Sequence, residues 1–218
     1  MTSVATPPKG PALFGKEEQR AVLDPLWDNN PIALQVLGIC SALAVTTKLQ
    51  TSLVMSAGVI MVCALANVII STIRNLIPNK IRIIVQLVVV SGVVIVFDQV
   101  LKAYMYEVSK QLSVFVGLII TNCIIMGRLE AYAMGNPPWR SLLDGIGNGL
   151  GYAWILCAVG AIREVFGSGK LLGMQVVPQA LYEAGYVNNG LMVLAPGAFI
   201  LLGVIVWVQR AISGYQEK

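Results

Sequence analysis

The chain has no histidine. That removes His-ligated haem, a His-bound metal centre and imidazole acid–base chemistry from anything this chain does alone. Charge is scarce as well. Only 12% of the 218 residues are Asp, Glu, Lys or Arg, where a soluble domain carries about a quarter. The net charge of +4, from 15 basic and 11 acidic residues, is no nucleic-acid signature. The basic residues fall between apolar runs, which makes them topology determinants, and no nucleic-acid partner is expected. A secretory signal is lacking too: residues 1–30 are polar, with Pro7, Pro8, Pro11 and mixed charges. They read as a loosely ordered tail leading to a first span.

What is present is apolar sequence. Hydrophobic residues make up 56% and the mean hydropathy is +0.75. Long charge-free runs identify an integral membrane protein. Backbone polar groups find no water in hydrocarbon, so only helices or closed barrels can span it. These runs are continuous rather than alternating, which selects helices. The gaps between charges predict an all-α membrane domain over 31–209 with six spans, followed by a short tail at 210–218. The spans are expected at about 31–47, 48–74, 82–101, 110–128, 145–162 and within 189–209. A continuous span needs about 20 helical residues. The first and fourth are marginal by that measure, and read as short or broken helices. Gly38 in "VLGIC" is a break point, and Thr121 and Asn122 in "LIITNC" have side chains able to satisfy freed backbone groups. The alternative for these three is ordinary close helix packing and interhelical hydrogen bonding.

Orientation follows from Lys and Arg. Ten fall on the side of the termini and five on the other, counting Arg128 and Arg140 as loop residues of the first side and Arg163 as one of the second. Both termini are therefore expected in the cytoplasm.

The four cysteines, Cys40, Cys63, Cys123 and Cys157, all lie in apolar runs, which is no disulfide framework. Cys63 and Cys157 read as small buried hydrophobes. Cys40 and Cys123 differ, because each sits near the middle of a short span, the first and the fourth. Six spans then divide as three plus three, with repeats of about 31–101 and 111–209. Such halves are related by an in-plane pseudo-two-fold axis, an inverted repeat that brings corresponding positions together at mid-membrane. Two thiolates meeting there repel unless a cation neutralises them, and thiolates select zinc, copper(I) or iron–sulfur clusters. A cluster takes four cysteines. Either Cys63 and Cys157 complete the set or a second chain supplies the rest.

The blocks "NNPIALQVLGICSALAVTTKLQTSLVM", "RIIVQ", "YEVSKQLSVFVGLIITNCIIMGRLEAYAM" and "LDGIGNGLGY" resemble the D-subunit family of the sodium-translocating NADH:quinone reductases. The related Rnf-type ferredoxin:NAD reductases have an E-type subunit of the same fold, and the blocks here are nearer the sodium-pump version. The resemblance covers most of the chain from about Asn29 to the sixth predicted span. It implies six transmembrane helices in an inverted repeat, paired with a homologous E-type subunit of opposite orientation. The pair would hold a 2Fe–2S cluster inside the membrane with two cysteines from each chain, matching Cys40 and Cys123 here and leaving Cys63 and Cys157 structural. It also implies a bacterial inner-membrane complex with further A, B, C and F subunits. Elsewhere in that complex NADH, FAD, FMN, riboflavin and quinone would bind, and electron transfer would drive Na+ outward.

This chain shows no dinucleotide fingerprint and no covalent-flavin threonine motif. "GIGNGLG" at 145–151 lies in an apolar span without a βαβ context and reads as close helix packing. Asp98 and Asp144 are candidates for a sodium path. The alternative is anchoring, with pairing to Lys102 and Arg140, four residues away in each case. Glu130 reads as a solvated loop charge. Two rival functions are compatible with the sequence: a non-redox inverted-repeat ion carrier, and a subunit that only holds an assembly together.

Overall fold

The computed structural model of the chain describes residues 22–27, 29–78, 80–104, 117–171, 174–175 and 189–213. Most of the N-terminal tail, the 105–116 link, most of the stretch around "MQVVPQALYEAGYV" and the tail from residue 214 lie outside the described residues. Seven α-helices are described: α1 (Ile39–Val45), α2 (Leu49–Ile73), α3 (Arg82–Tyr104), α4 (Cys123–Arg128), α5 (Pro138–Ser168), α6 (Gly190–Val193) and α7 (Ala195–Ser213). A helical turn at 117–120 precedes α4, and a π-helical turn, Leu129–Ala133, continues it. A minimal antiparallel hairpin pairs Lys170–Leu171 with Met174–Gln175. Among the described residues, four segments are long and apolar enough to cross a membrane: Leu49–Leu76, Arg82–Tyr104, Pro138–Ser168 and Ala195–Ile212. The architecture is that of a helical membrane protein.

The centre of the fold is the packing of α2 on α5. Along α2 the buried residues Ser52, Met55, Ser56, Val59, Val62, Cys63, Ala66, Asn67 and Ile70 recur at helical spacing on one stripe. The facing stripe of α5 carries glycines. A Cβ on Gly149 would stand 2.9 Å from the Ile60 Cα, and one on Gly145 would stand 2.9 Å from the Ala64 Cα. The glycines therefore let two backbones approach where no side chain fits, as expected of "GIGNGLG". By contrast α3 leaves Ile83, Ile84, Val88, Ile95 and Val96 exposed, a surface that only lipid or another apolar chain can cover.

Two boundaries differ from the charge-gap reading. The fifth span was expected at 145–162, yet α5 runs from Pro138 to Ser168. Pro138 opens it at a position where its missing N–H costs nothing, and Gly169 closes it in the left-handed conformation (φ 66°). Asp144 and Arg163, the charges that bound the apolar run, lie inside the helix. The sixth span is divided, because Leu194 adopts extended backbone (φ −76°, ψ 158°) between α6 and α7.

Candidate functional site

Neither cysteine-bearing segment is one continuous helix. Residues 31–35 form turns, and α1 begins only at Ile39. Gly38 caps it with φ 78°, a left-handed backbone that glycine adopts without strain. Asn30 organises the approach. Its Oδ1 accepts from the amides of Ile32 (3.0 Å) and Ala33 (3.3 Å), and its Nδ2 donates to the Gly151 carbonyl at 3.0 Å. From α7, Arg210 Nε donates to the Ala33 carbonyl at 3.0 Å. The freed backbone of this strap is thus satisfied by its own side chains and by α7, while Asn30 ties it to the α5 backbone. Cys40 follows in the first turn of α1 and is exposed.

The second interruption falls at Thr121–Asn122, as the sequence predicts. Thr121 Oγ1 donates back to the Gly117 carbonyl at 3.3 Å, and Asn122 Oδ1 accepts from the Ile124 amide at 3.2 Å. Asn122 is the N-cap of α4, and Cys123 is its first residue, again exposed.

The two interruptions meet. Asn122 Nδ2 donates to Ser41 Oγ at 3.4 Å, and Ser41 Oγ lies 2.8 Å from the Tyr152 hydroxyl of α5. A Cβ on Gly38 would stand 2.7 Å from Ile124 Cδ1 and 3.1 Å from Tyr152 Cε2. The chain neighbours of Cys40 and Cys123 are therefore in direct contact, although the thiols are 83 positions apart in sequence. The other two cysteines are placed differently. Cys63 is fully buried in α2, and Cys157 is half-buried with its Sγ 3.9 Å from Ser56 Oγ. Among the described residues no group of three or more Cys, Asp or Glu converges on one point. A soft metal centre seated on Cys40 and Cys123 fits two exposed thiols carried on adjoining helix starts, and its remaining ligands would come from outside the described residues.

The two candidate acids have contrasting surroundings. Asp98 pairs with Lys102 one turn on (2.5 Å), as expected, while its Oδ1 is buried with no hydrogen-bond partner among the described residues. Asp144 is nearly fully buried in α5, and its bidentate partner is Arg128, where the sequence pointed to Arg140. Arg128 Nε reaches Asp144 Oδ2 at 2.9 Å, and Asn148 Nδ2 adds a bond to Oδ1 at 3.2 Å. Arg128 is therefore no loop charge. Glu130 keeps a partly solvated side chain in the π-helical turn, but it is not unpartnered: it pairs with Arg82 and accepts from Gln86 Nε2 at 3.1 Å.

Arg163 is a larger correction. Counted as a loop cation, it is instead 1% exposed. Its guanidinium donates to the carbonyls of Leu43 (3.3 Å), Met192 (2.9 Å), Val193 (2.7 Å) and Leu194 (3.5 Å), and to Thr46 Oγ1 (2.5 Å). Those acceptors gather at the C-terminal ends of α1 and α6, where helices leave carbonyls unpaired and carry partial negative charge. One buried cation thus closes two short helices at once. Tyr152, Ser41 and Asn30 were also missed. No spacing motif marks them, because their partners lie between 81 and 121 positions away.

Comparison with known proteins places this geometry in context. The family described as "Rnf-Nqr subunit, membrane protein" matches residues 19–206. The D subunit of the Na(+)-translocating NADH-quinone reductase of Yersinia pestis (strain Pestoides F) is 60% identical over 201 residues, covering 92% of this chain and 96% of the relative. The protein of the same description from Yersinia pseudotuberculosis (serotype O:1b, strain IP 31758) has the same identity and coverage.

Proposed function

The chain belongs to the Rnf-Nqr family of membrane subunits, and from that membership we propose that it is the D-type subunit of a sodium-translocating NADH:quinone reductase. In this reading it is part of a translocase and not a catalyst alone. Cys40 and Cys123 supply two of the four thiolates of a 2Fe–2S cluster, and a homologous E-type subunit supplies the others. The observation that carries the reading is that two exposed thiols sit at helix starts whose neighbouring residues, Ser41 and Asn122, are in contact, with Cys63 buried elsewhere. The two cysteine segments count as the first and fourth of six spans, and the two halves as inverted repeats. The host membrane is the bacterial inner membrane, with both termini cytoplasmic and A, B, C and F subunits completing the complex. NADH, FAD, FMN, riboflavin and quinone bind on those other subunits.

When bound, the cluster supplies a one-electron relay station inside the hydrocarbon layer. This chain's residues do the rest. Gly38 and Asn122 end the preceding backbone so that each thiol sits at a helix start. Asn30, Arg210 and Arg163 satisfy the backbone groups those interruptions free, which keeps the thiols in place without water. Asp98 and Asp144 lie on the sodium path in the same reading. Asp98 offers the less occupied carboxylate, since Arg128 and Asn148 hold both oxygens of Asp144.

Iron, sulfide and electron paramagnetic resonance measurements on the purified complex test this directly. Cys40→Ala and Cys123→Ala should each lose the cluster signal and NADH-driven quinone reduction. Cys63→Ala and Cys157→Ala should keep both. NADH oxidation by artificial acceptors should survive in all four, because that half-reaction ends before the membrane step. If Cys63 proves as necessary for iron as Cys40, the ligand set is wrong. A complex without any iron–sulfur signal would instead favour the ion-carrier reading.

A further inference from the structure

Three side chains connect the two thiol-bearing helix starts. Ser41 Oγ makes three contacts: the Gly38 carbonyl at 2.9 Å, the Tyr152 hydroxyl at 2.8 Å and Asn122 Nδ2 at 3.4 Å. A serine hydroxyl has one proton and two lone pairs. A carbonyl can only accept, so the Ser41 proton goes to Gly38. An amide nitrogen can only donate, so Asn122 takes one lone pair. The remaining lone pair receives the proton of Tyr152. The serine is thereby saturated, and the direction of every bond is settled. All three residues are fully buried.

Tyr152 also acts through its ring. The ring edge meets Gly38, where an added Cβ would stand 3.1 Å from Cε2, and the same spot would clash with Ile124 of α4. One residue of the long α5 helix therefore touches the break before Cys40 and, through Ser41, the cap before Cys123. Neither α1, with 7 residues, nor α4, with 6, has the length to hold its own position.

We infer that the Tyr152 hydroxyl is the positioning group that sets the spacing of Cys40 and Cys123, acting through Ser41 and the Asn122 cap. The inference rests on the proposed role of the two thiols, and it assigns to α5 the task of presenting them as one unit. Tyr152 touches no reacting atom and serves as a positioning residue. Its replacement by Phe keeps the ring against Gly38 and deletes only the hydroxyl, with its bonds to Ser41 and Asn122, so folding should survive.

Two measurements on the whole complex separate this from a merely structural role. The first uses complex from iron-limited cells, treated with copper–phenanthroline, with the Cys40–Cys123 disulfide followed by mass spectrometry. Tyr152→Phe should slow that disulfide about fivefold, the factor contributed by one net hydrogen bond. The second uses iron-replete complex. Tyr152→Phe should keep wild-type iron content while broadening the cluster's paramagnetic spectrum and shifting its midpoint potential. Wild-type disulfide rate, spectrum and potential together would overturn the inference, with the cluster assignment intact. The converse is equally readable: a Tyr152-dependent disulfide rate in a complex whose cluster signal survives Cys40→Ala would sink the ligand assignment and leave the positioning role standing.

Discussion

Arg163→Ala tests how the interrupted helices are held. The substitution removes five hydrogen bonds from a group that is 1% exposed. Three of them are well formed, at 2.9 Å to Met192 O, 2.7 Å to Val193 O and 2.5 Å to Thr46 Oγ1. A hydrogen bond to a charged group contributes about 1.5–3 kcal/mol net, and a buried carbonyl left unpaired costs about 1–3 kcal/mol. Against this, the desolvation cost of the buried guanidinium is recovered. Taking the low end for three bonds and subtracting that recovery leaves a loss of about 3 kcal/mol. For a chain of this size that corresponds to a fall in melting temperature of roughly 6–12 °C. Arg163→Lys keeps the charge but offers fewer donors without the planar fork, so it should fall about midway. The assay is the fraction of assembled complex surviving a heating series, read by size exclusion. If Arg163→Ala stays within about 2 °C of wild type, the carbonyls of α1 and α6 find other partners and the clamp is not what holds them.

Packing of α2 on α5 gives a second prediction. Gly149→Val should cost about 1–3 kcal/mol by forcing the helices apart, because its Cβ meets the Ile60 backbone. Gly92→Ala, in α3 where an added Cβ meets nothing within 4 Å among the described residues, should be neutral or gain up to about 1 kcal/mol. In the same heating assay, equal behaviour of these two variants would refute the close-approach account. The two acids give a third. Asp144→Asn strands a largely buried Arg128 and should destabilise the complex by about 3–5 kcal/mol. Asp98→Asn loses a pair whose Lys102 side chain is 46% exposed and should cost under about 1 kcal/mol. If Asp98 serves sodium, its Asn variant should raise the sodium concentration for half-maximal turnover with iron content unchanged; an unaltered sodium dependence leaves only the anchoring role.

Several features were legible without any structure, and they share a physical reason. Membrane residence, helical spans and the absence of imidazole chemistry follow from composition and contiguous hydropathy alone. The interruptions at Gly38 and at Thr121–Asn122 follow from local backbone preference and short-range capping, which need no distant partner. Close packing at Gly145 and Gly149 follows from a periodic absence of side chains. Charged residues behaved otherwise. A charge in an apolar sequence reads as the end of a span, because burying it alone is prohibitive. Only convergence of acceptors from distant segments reverses that reading. Arg163 lies inside α5 because Leu43, Thr46 and residues 192–194 bring oxygens to it. Arg128 is largely buried because Asp144 meets it across a helix pair. The hub formed by Ser41, Asn122 and Tyr152 is of the same kind, since a hydroxyl's partners are set by which helices touch. The sequence determined the breaks at Gly38 and Thr121–Asn122, because local backbone preference and capping suffice there; the tertiary structure decided which side chains close them and how the two thiol-bearing ends are brought together, because those contacts join distant segments.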